Sequence, residues 1–363
     1  MGTFTAYESI SAMICPFRVR LFFLLLSVLP ACQQDGDKDV PLSNRLILVT
    51  DKFYDVKAIS AEKAVVVGYG GKLLVTTDGG KTWQAKESGT DVALYNVEFA
   101  DAQNGWVSGQ DGLILHTTDG GETWHKQESG INTAIFALSF VDQNHGWAVS
   151  EAATYLRTTS SGESWETGRI EVSLEGVAEE ATLAMVDPIL YDIYFIDEKN
   201  GWMVGEFGKI YHTTDGGMTW EEQQNSLLGH AGIDDALNLP AFFGVRFTDA
   251  TTGMAVGIEG KIVKTTDGGK TWAFTAEDIA AFSTDPLYDL HLFGDGKGWI
   301  VGAAGRVLQL RDGDWQSVSL GRPLTTWLRS VDFFDENNGW IVGGYGMILH
   351  TVDGGKTWLP SLG

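Results

Sequence analysis

Cysteine is almost absent from this chain. The 363 residues hold two, Cys15 and Cys32, and both precede the first repeated unit, so no intramolecular disulfide braces the main body. Positive charge is scarce too: Lys and Arg total 25 against 48 Asp and Glu, a formal net charge of −23. Such a surface repels phosphate backbones and anionic headgroups, which excludes nucleic acid and favours basic partners. Long apolar runs at helical spacing are missing, which disfavours helical repeats. The apolar stretch Leu21 to Leu29 is nine residues long, too short to span a bilayer.

That stretch has a different use. It follows a short basic leader, Met13 to Arg20, with Met13 an alternative start to Met1, and it precedes Leu29-Pro30-Ala31-Cys32. Basic segment, apolar segment and small-residue site in this order form a secretory signal, 1–31, and the last four residues resemble a bacterial lipobox in which Cys32 is diacylated. Gln33 follows the cysteine, where an Asp would direct inner-membrane retention, so the sequence predicts a lipid anchor in the cell envelope at the outer membrane. Residues 32–44 are polar and acidic with one Pro and read as a tether.

What the chain has in abundance is one motif. Thr76 to Trp83 reads Thr-Thr-Asp-Gly-Gly-Lys-Thr-Trp and returns as Thr117 to Trp124, Thr213 to Trp220, Thr265 to Trp272 and Thr351 to Trp358. Thr158 to Trp165 carries Ser160 for the Asp, and a shortened copy ends at Trp315. The seven terminal tryptophans are spaced 41, 41, 55, 52, 43 and 43 residues apart. A period near 40 with strand-like interiors predicts an all-β, seven-bladed propeller of four antiparallel strands per blade over 45–363. The second unit shows the strands: Tyr95–Phe99, Gly105–Gly109, Leu113–Thr118 and Thr123–Gln127, with Asp, Asn or Gly at each reversal. Arg45 to Thr50 is strand-like and is expected to close the ring beside Thr357 to Leu362.

The pattern Ser/Thr-x-Asp-x-Gly-x-Thr-Trp resembles the Asp-box, or BNR repeat, of sialidases. A carboxylate repeated at each blade builds scaffold, so Asp78, Asp119, Asp215, Asp267 and Asp353 are assigned a structural role. With Asn104-Gly105-Trp106-Val107, Asn200 to Gly205 and Asn338 to Gly343, the repeats over about residues 53 to 358 resemble the photosystem II stability/assembly factor family of seven-bladed propellers. That resemblance implies a non-catalytic, lipid-anchored scaffold that holds an assembling reaction-centre subunit. Members of that family are marked by an arginine patch, whereas only eight arginines follow this leader, scattered from Arg45 to Arg329.

The Phe/Tyr-Arg-Ile-Pro signature of sialidases is absent, so no catalytic residue is assigned; a carbohydrate-binding or glycoside-hydrolysing propeller is the alternative. Gly80-Lys81-Thr82 lacks the earlier Gly of a phosphate loop. His116, His212 and His350 share a repeat position that other units fill with Val75, Arg157, Lys264 and Gln309, so the position is expected to face solvent, and His230 and His291 show no ligand companions. No metal and no cofactor are predicted.

Partner recognition is assigned to one face. Three connections are long, Glu166 to Pro188, Glu221 to Pro240 and Ala273 to Pro286, and they emerge where the hairpins between second and third strands present Tyr69, Asp111, Glu151, Glu206, Glu259 and Tyr345. The connections add Glu171, Glu175, Glu179, Glu180, Asp187, Asp234, Asp235, Glu277 and Asp278. This carboxylate-rich face is either a solubilising surface, as exposed charge usually is, or the site that takes a basic segment of an envelope or membrane protein, with the chain acting as a monomer. At the start of each first strand stand Tyr54, Tyr95, Phe136, Tyr191, Phe243, Tyr288 and, in the seventh unit, Arg329. Alternation places these with Val56 and its equivalents, toward the core. A guanidinium is seldom buried unpaired, so Arg329, with Trp327 before it, is a candidate binding group near the channel.

Overall fold

The computed structural model describes residues 46–171, 187–228, 238–275, 284–321 and 323–361. The signal 1–31, the tether 32–44 with Cys32, and Arg45 lie outside the described residues, as do Glu175, Glu179, Glu180, His230, Asp234, Asp235, Glu277, Asp278 and Arg322.

The described chain forms seven four-stranded antiparallel sheets, each built from consecutive strands. The first blade runs Phe53–Ala58, Ala64–Gly68, Leu73–Thr76 and Gln84–Ala85; the seventh runs Leu328–Phe333, Gly339–Gly343, Ile348–Thr351 and Leu359–Pro360. The inner strands between them are Leu94–Phe99, Ile135–Phe140, Leu190–Phe195, Phe242–Phe247 and Leu287–Leu292. The seven-bladed expectation therefore holds. Among the described residues almost no helix is present beyond single 3-10 turns.

Each sheet is too small to bury a core alone, so the cores lie between sheets. Val65, Val67 and Val75 of the first blade pack with Val97 and Trp124 of the second. The same logic closes the circle: Phe53, Val56 and Trp83 meet Trp340, Val342 and Ile348. Aromatic columns thread these seams. Phe140 stacks on Trp106 of the preceding blade at 3.6 Å and meets Trp165 of its own edge-on at 6.0 Å. Phe195 repeats this with Trp147 and Trp220, and Phe247 with Trp202 and Trp272. Each such ring buries well over a hundred square ångströms and adds about 1 kcal/mol of pair geometry beyond area.

His116, His212 and His350 belong to these columns. They stack on Trp106, Trp202 and Trp340 with centroids 4.7, 4.5 and 4.2 Å apart. The expected solvent-facing position is thus corrected. Arg157 and Gln309 stand at the same place opposite Trp147 and Trp299, where an apolar stem can cover an indole, whereas Val75 and the exposed Lys264 stand opposite Val65 and Met254. Burial lowers the pKa of all three histidines below the ordinary value.

The ring closes differently from the expected strand. Residues 46–50 form bends and turns, and the seventh sheet ends at its own Leu359–Pro360. Instead the segment takes the place of a blade-to-blade connection. Gly346 N donates to Asp51 O at 2.8 Å, as Gly71 N does to Val92 O and Ala153 N to Pro188 O where the chain is continuous. Lys52 forms a single bridge with Gly344, and Leu46 and Ile47 pack on the closing core.

Candidate functional site

Every inner strand carries the same irregularity near its start. Phe53 pairs with Gly68 and Asp55 with Val67, so Tyr54 is bulged out of the ladder, and the other six blades shift register at the equivalent residue. A bulge re-aims the extra side chain. Simple alternation therefore fails here, and the expected core placement of Tyr54 and its equivalents is overturned. The residues line one mouth of the central channel.

At that mouth the rings touch in sequence round the circle. Centroid separations are 5.7 Å for Tyr54–Tyr95 and Tyr95–Phe136, 5.9 Å for Phe136–Tyr191, 5.1 Å for Tyr191–Phe243 and 5.9 Å for Phe243–Tyr288. Arg329 fills the seventh place, its guanidinium 5.4 Å from the Tyr288 ring and its Nη1 donating to the Tyr288 carbonyl at 3.2 Å. Trp327 stacks on Tyr54 at 5.9 Å and completes the circle. All of these side chains are half-buried, so the mouth offers aromatic faces and one cation to solvent.

Beneath the mouth the channel is polar, with a cavity of about 190 Å³. Its wall is a circle of inter-blade hydrogen bonds. Asp55 accepts from Val97 N at 2.8 Å, Asn96 from Leu138 N at 2.9 Å, Ser139 from Phe195 N at 2.9 Å, and Asp192 from Val245 N at 2.8 Å. Asp289 accepts from Val331 N at 3.0 Å and Asp332 from Ala58 N at 2.9 Å. Gly244 has no side chain to continue the series, and Arg246 spans that gap, contacting Asp192 at 2.5 Å and Asp289 at 3.3 Å. Lys57 pairs with Glu98 at 2.9 Å, and His291 with Asp332 at 3.0 Å, which supplies the companion that His291 lacked in the sequence.

These charges are tuned by burial and by one another. Burial, with Asp289 nearby, pushes the Asp55 carboxyl up to about 7. Burial opposes the charge on Lys57, but Glu98 and Asp332 outweigh it and hold its pKa above the ordinary lysine value. Burial also opposes the charge on Asp332, which Lys57 and His291 more than offset, so its pKa lies below the usual carboxylate value. Sequence reading missed this tier. The signal was present: Lys57, Glu98, Ser139, Tyr194, Arg246, His291 and Asp332 occupy one inner-strand position, and all seven are polar.

The assigned face residues surround the aromatic mouth. Tyr69, Asp111, Glu151, Glu206, Glu259 and Tyr345 lie on the turns between second and third strands, at the channel end where the inner strands begin. Tyr69 and Tyr345 are 62% and 64% exposed. Glu206 turns inward to accept from Ile189 N at 3.0 Å and lies 3.4 Å from the Tyr191 hydroxyl. Asp111, Glu259 and Tyr345 adopt left-handed φ of 59, 57 and 59°. For Tyr345 that conformation is strained, and it holds a large ring in solvent.

The box aspartates occupy the opposite face and stay on separate blades. Asp78 accepts from Thr82 N at 2.9 Å and from the Thr82 hydroxyl at 2.6 Å, while Thr76 Oγ1 accepts from Gly80 N at 2.9 Å. Asp119, Asp215, Asp267 and Asp353 repeat these bonds. The threonine hydroxyl and amide hold the Asp353 carboxyl down at about 2. In the third blade Ser160 makes the weaker substitute, 3.1 Å from Ser164 N. The closed hairpin aims a carbonyl at the preceding blade, where Trp147 Nε1 donates to Gly216 O at 2.9 Å and Trp202 Nε1 to Gly268 O at 3.2 Å. Among the described residues one group has metal-ligand types together, Asp142, His145 and Glu198. There His145 Nδ1 lies 2.8 Å from Asp142, where Asn104 and Asn200 hold the equivalent turns through Asp101 and Asp197. A turn-locking role accounts for it.

The sequence matches the family model described as Photosynthesis system II assembly factor YCF48 over residues 39–129, 173–239, 236–325 and 277–361. The Photosystem II assembly lipoprotein Ycf48 of Prochlorococcus marinus is 28% identical over 189 residues, 42% of this chain and 54% of the relative, so the match spans about half of that protein. The solved YCF48 from Cyanidioschyzon merolae superposes with a TM-score of 0.66 at 17% identity, covering 85% of this chain and 97% of that one. A YCF48 bound to D1 peptide gives 0.54 at 21% identity, covering 74% and 80%. At these identities the solved structures establish likeness of fold.

Proposed function

The chain belongs to the photosynthesis system II assembly factor YCF48 family, and from that premise we propose that it is a non-catalytic scaffold, lipid-anchored at Cys32, that holds a segment of a membrane protein under assembly. The segment sits in the aromatic mouth. One observation carries this reading: six aromatic rings, Arg329 and Trp327 form a circle open to solvent, flanked by the exposed Tyr69 and Tyr345. Aromatic and arginine side chains in partly desolvated surroundings are the usual anchors of protein recognition. The D1 peptide held by a solved relative supports a membrane-protein client, and the lipoprotein name of the Prochlorococcus relative supports the anchor. The channel carboxylates argue against hydrolysis, because Asp55, Asp192, Asp289 and Asp332 each spend an oxygen on a neighbouring blade's amide.

The scaffold acts as a monomer at the envelope surface, in this reading at the outer membrane. The test is capture of newly made membrane protein by the intact lipoprotein, compared with the double variant Tyr95→Ala, Phe243→Ala. Loss of capture by a variant that stays folded and melts only a few degrees lower is expected; undiminished capture would sink the assignment of the mouth.

A further inference from the structure

The mouth is electrically divided. Around the second, third and fourth blades stand Asp111, Glu151 and Glu206, and the fifth adds Glu259. Their field reaches the aromatic ring: the Tyr95 phenol is raised by burial, then by Asp111 and Glu151, and Tyr191 by burial and then Glu206, to about 12. The opposite arc carries no acid on its turns, which read Ala303-Ala304-Gly305, Gly344-Tyr345-Gly346 and Tyr69-Gly70-Gly71. Cations stand there instead. Lys52 lies 5.4 Å from the Tyr69 ring, and Arg329 acts on Tyr54 in the sense opposite to the acids. Arg329 takes part in none of the ion pairs among the described residues, and only one of its bonds goes to protein, Nη1 to the Tyr288 carbonyl. Its remaining donors are available to a ligand. A half-buried guanidinium over an aromatic face, where the dielectric is below that of water, pairs strongly and bidentately with a carboxylate.

We propose that the mouth binds an extended peptide of split charge in one orientation, with basic side chains over the second to fifth blades, aromatic or apolar side chains in the ring, and a carboxylate on Arg329. This deepens the reading of the mouth as a peptide site and rests on it. The charges set register and polarity, while the ring supplies the contact area. The carboxylate can come from an acidic side chain or from a chain terminus, which share this chemistry.

The test uses the full-length protein and synthetic peptides with lysines at one end, phenylalanines in the centre and aspartates at the other, read by fluorescence anisotropy at low salt. Arg329→Gln is expected to weaken binding about tenfold, and to have no further effect once the aspartates are replaced by asparagines. Asp111→Asn with Glu151→Gln should cost about as much, and cease to matter when glutamines replace the lysines. A peptide without aspartates but with a free C-terminus, set against its amidated form, separates the two carboxylate sources. Arg329→Lys, which keeps charge without the fork, should recover part of the loss and guards against a folding defect. Charged and neutral peptides binding equally, with Tyr191→Ala still abolishing both, would overturn the orientation and leave the peptide site standing. No binding by any of the peptides would overturn both.

Discussion

Between the first and seventh blades lies the one seam the chain does not cross, and residues 46–52 stand in for the missing connection. Two truncated chains, one starting at Leu46 and one at Phe53, isolate what that segment contributes. The shorter chain loses the carbonyls of Asp51 and Lys52, which accept from Gly346 N at 2.8 Å and Tyr69 N at 2.9 Å. Water can reach both amides once the segment is gone, so each loss is worth about 1 kcal/mol. Leu46 and Ile47 are half-buried on the closing core, about 1 kcal/mol each at 25 cal/mol per Å². The Lys72–Asp51 pair at 3.0 Å is partly exposed and adds little. Together these come to about 4 kcal/mol. A body of this size unfolds with an entropy of roughly 0.65 kcal/mol per degree, from about 2.1 cal/mol/K per residue, so calorimetry should find the shorter chain melting about 6 °C lower. Hydrogen exchange should accelerate first at Gly346 and Tyr69. Equal melting temperatures, within about 1 °C, would refute the substitute-connection argument.

Further outcomes follow from the seams, the boxes and the buried charges. Phe195→Ala empties the slot between Trp147 and Trp220 and should cost about 3 to 5 kcal/mol by denaturant unfolding, whereas the half-exposed Phe334→Ala should stay within about 0.5 kcal/mol. Asp215→Ala opens one box hairpin and should cost about 1 kcal/mol while leaving peptide affinity at the opposite face unchanged; lost affinity in a folded variant would contradict the scaffold role. His116, His212 and His350 have folded pKa values below the ordinary 6.5, so the unfolded chain binds more protons and stability falls as pH drops through that value. Replacing all three by Gln should flatten that slope in unfolding midpoints measured across the range. Asp55 works in the other sense: its folded pKa of about 7 lies above 3.8, so its contribution is complete below 3.8 and is lost as pH rises through 7, by a few kcal/mol that Asp55→Asn should remove.

Blade number, strand limits and turn positions were legible because each is local. The tryptophan period counts the sheets, and the second unit's strands were placed to within a residue or two of Leu94–Phe99, Gly105–Gly109, Ile114–Thr117 and His125–Gln127. Arg329 stood out in the sequence as an arginine where six units carry an aromatic, and the structure sets it at the channel mouth. The aromatic ring itself was misplaced. Period-two alternation assumes an unbroken ladder, and the bulge after Phe53 and its equivalents leaves no mark in residue type. The pairing of His291 with Asp332, and of Lys57 with Glu98, was out of reach for another reason: those partners are 41 residues apart, and Asp332 meets Ala58 across 274. The sequence by itself determined the repeating unit, because hydrogen bonding within a hairpin and alternation along a strand act over a few residues. Only the closed ring decided which side chains share the mouth and which charges neutralise one another, because those neighbours come from different blades and meet only when all seven are assembled.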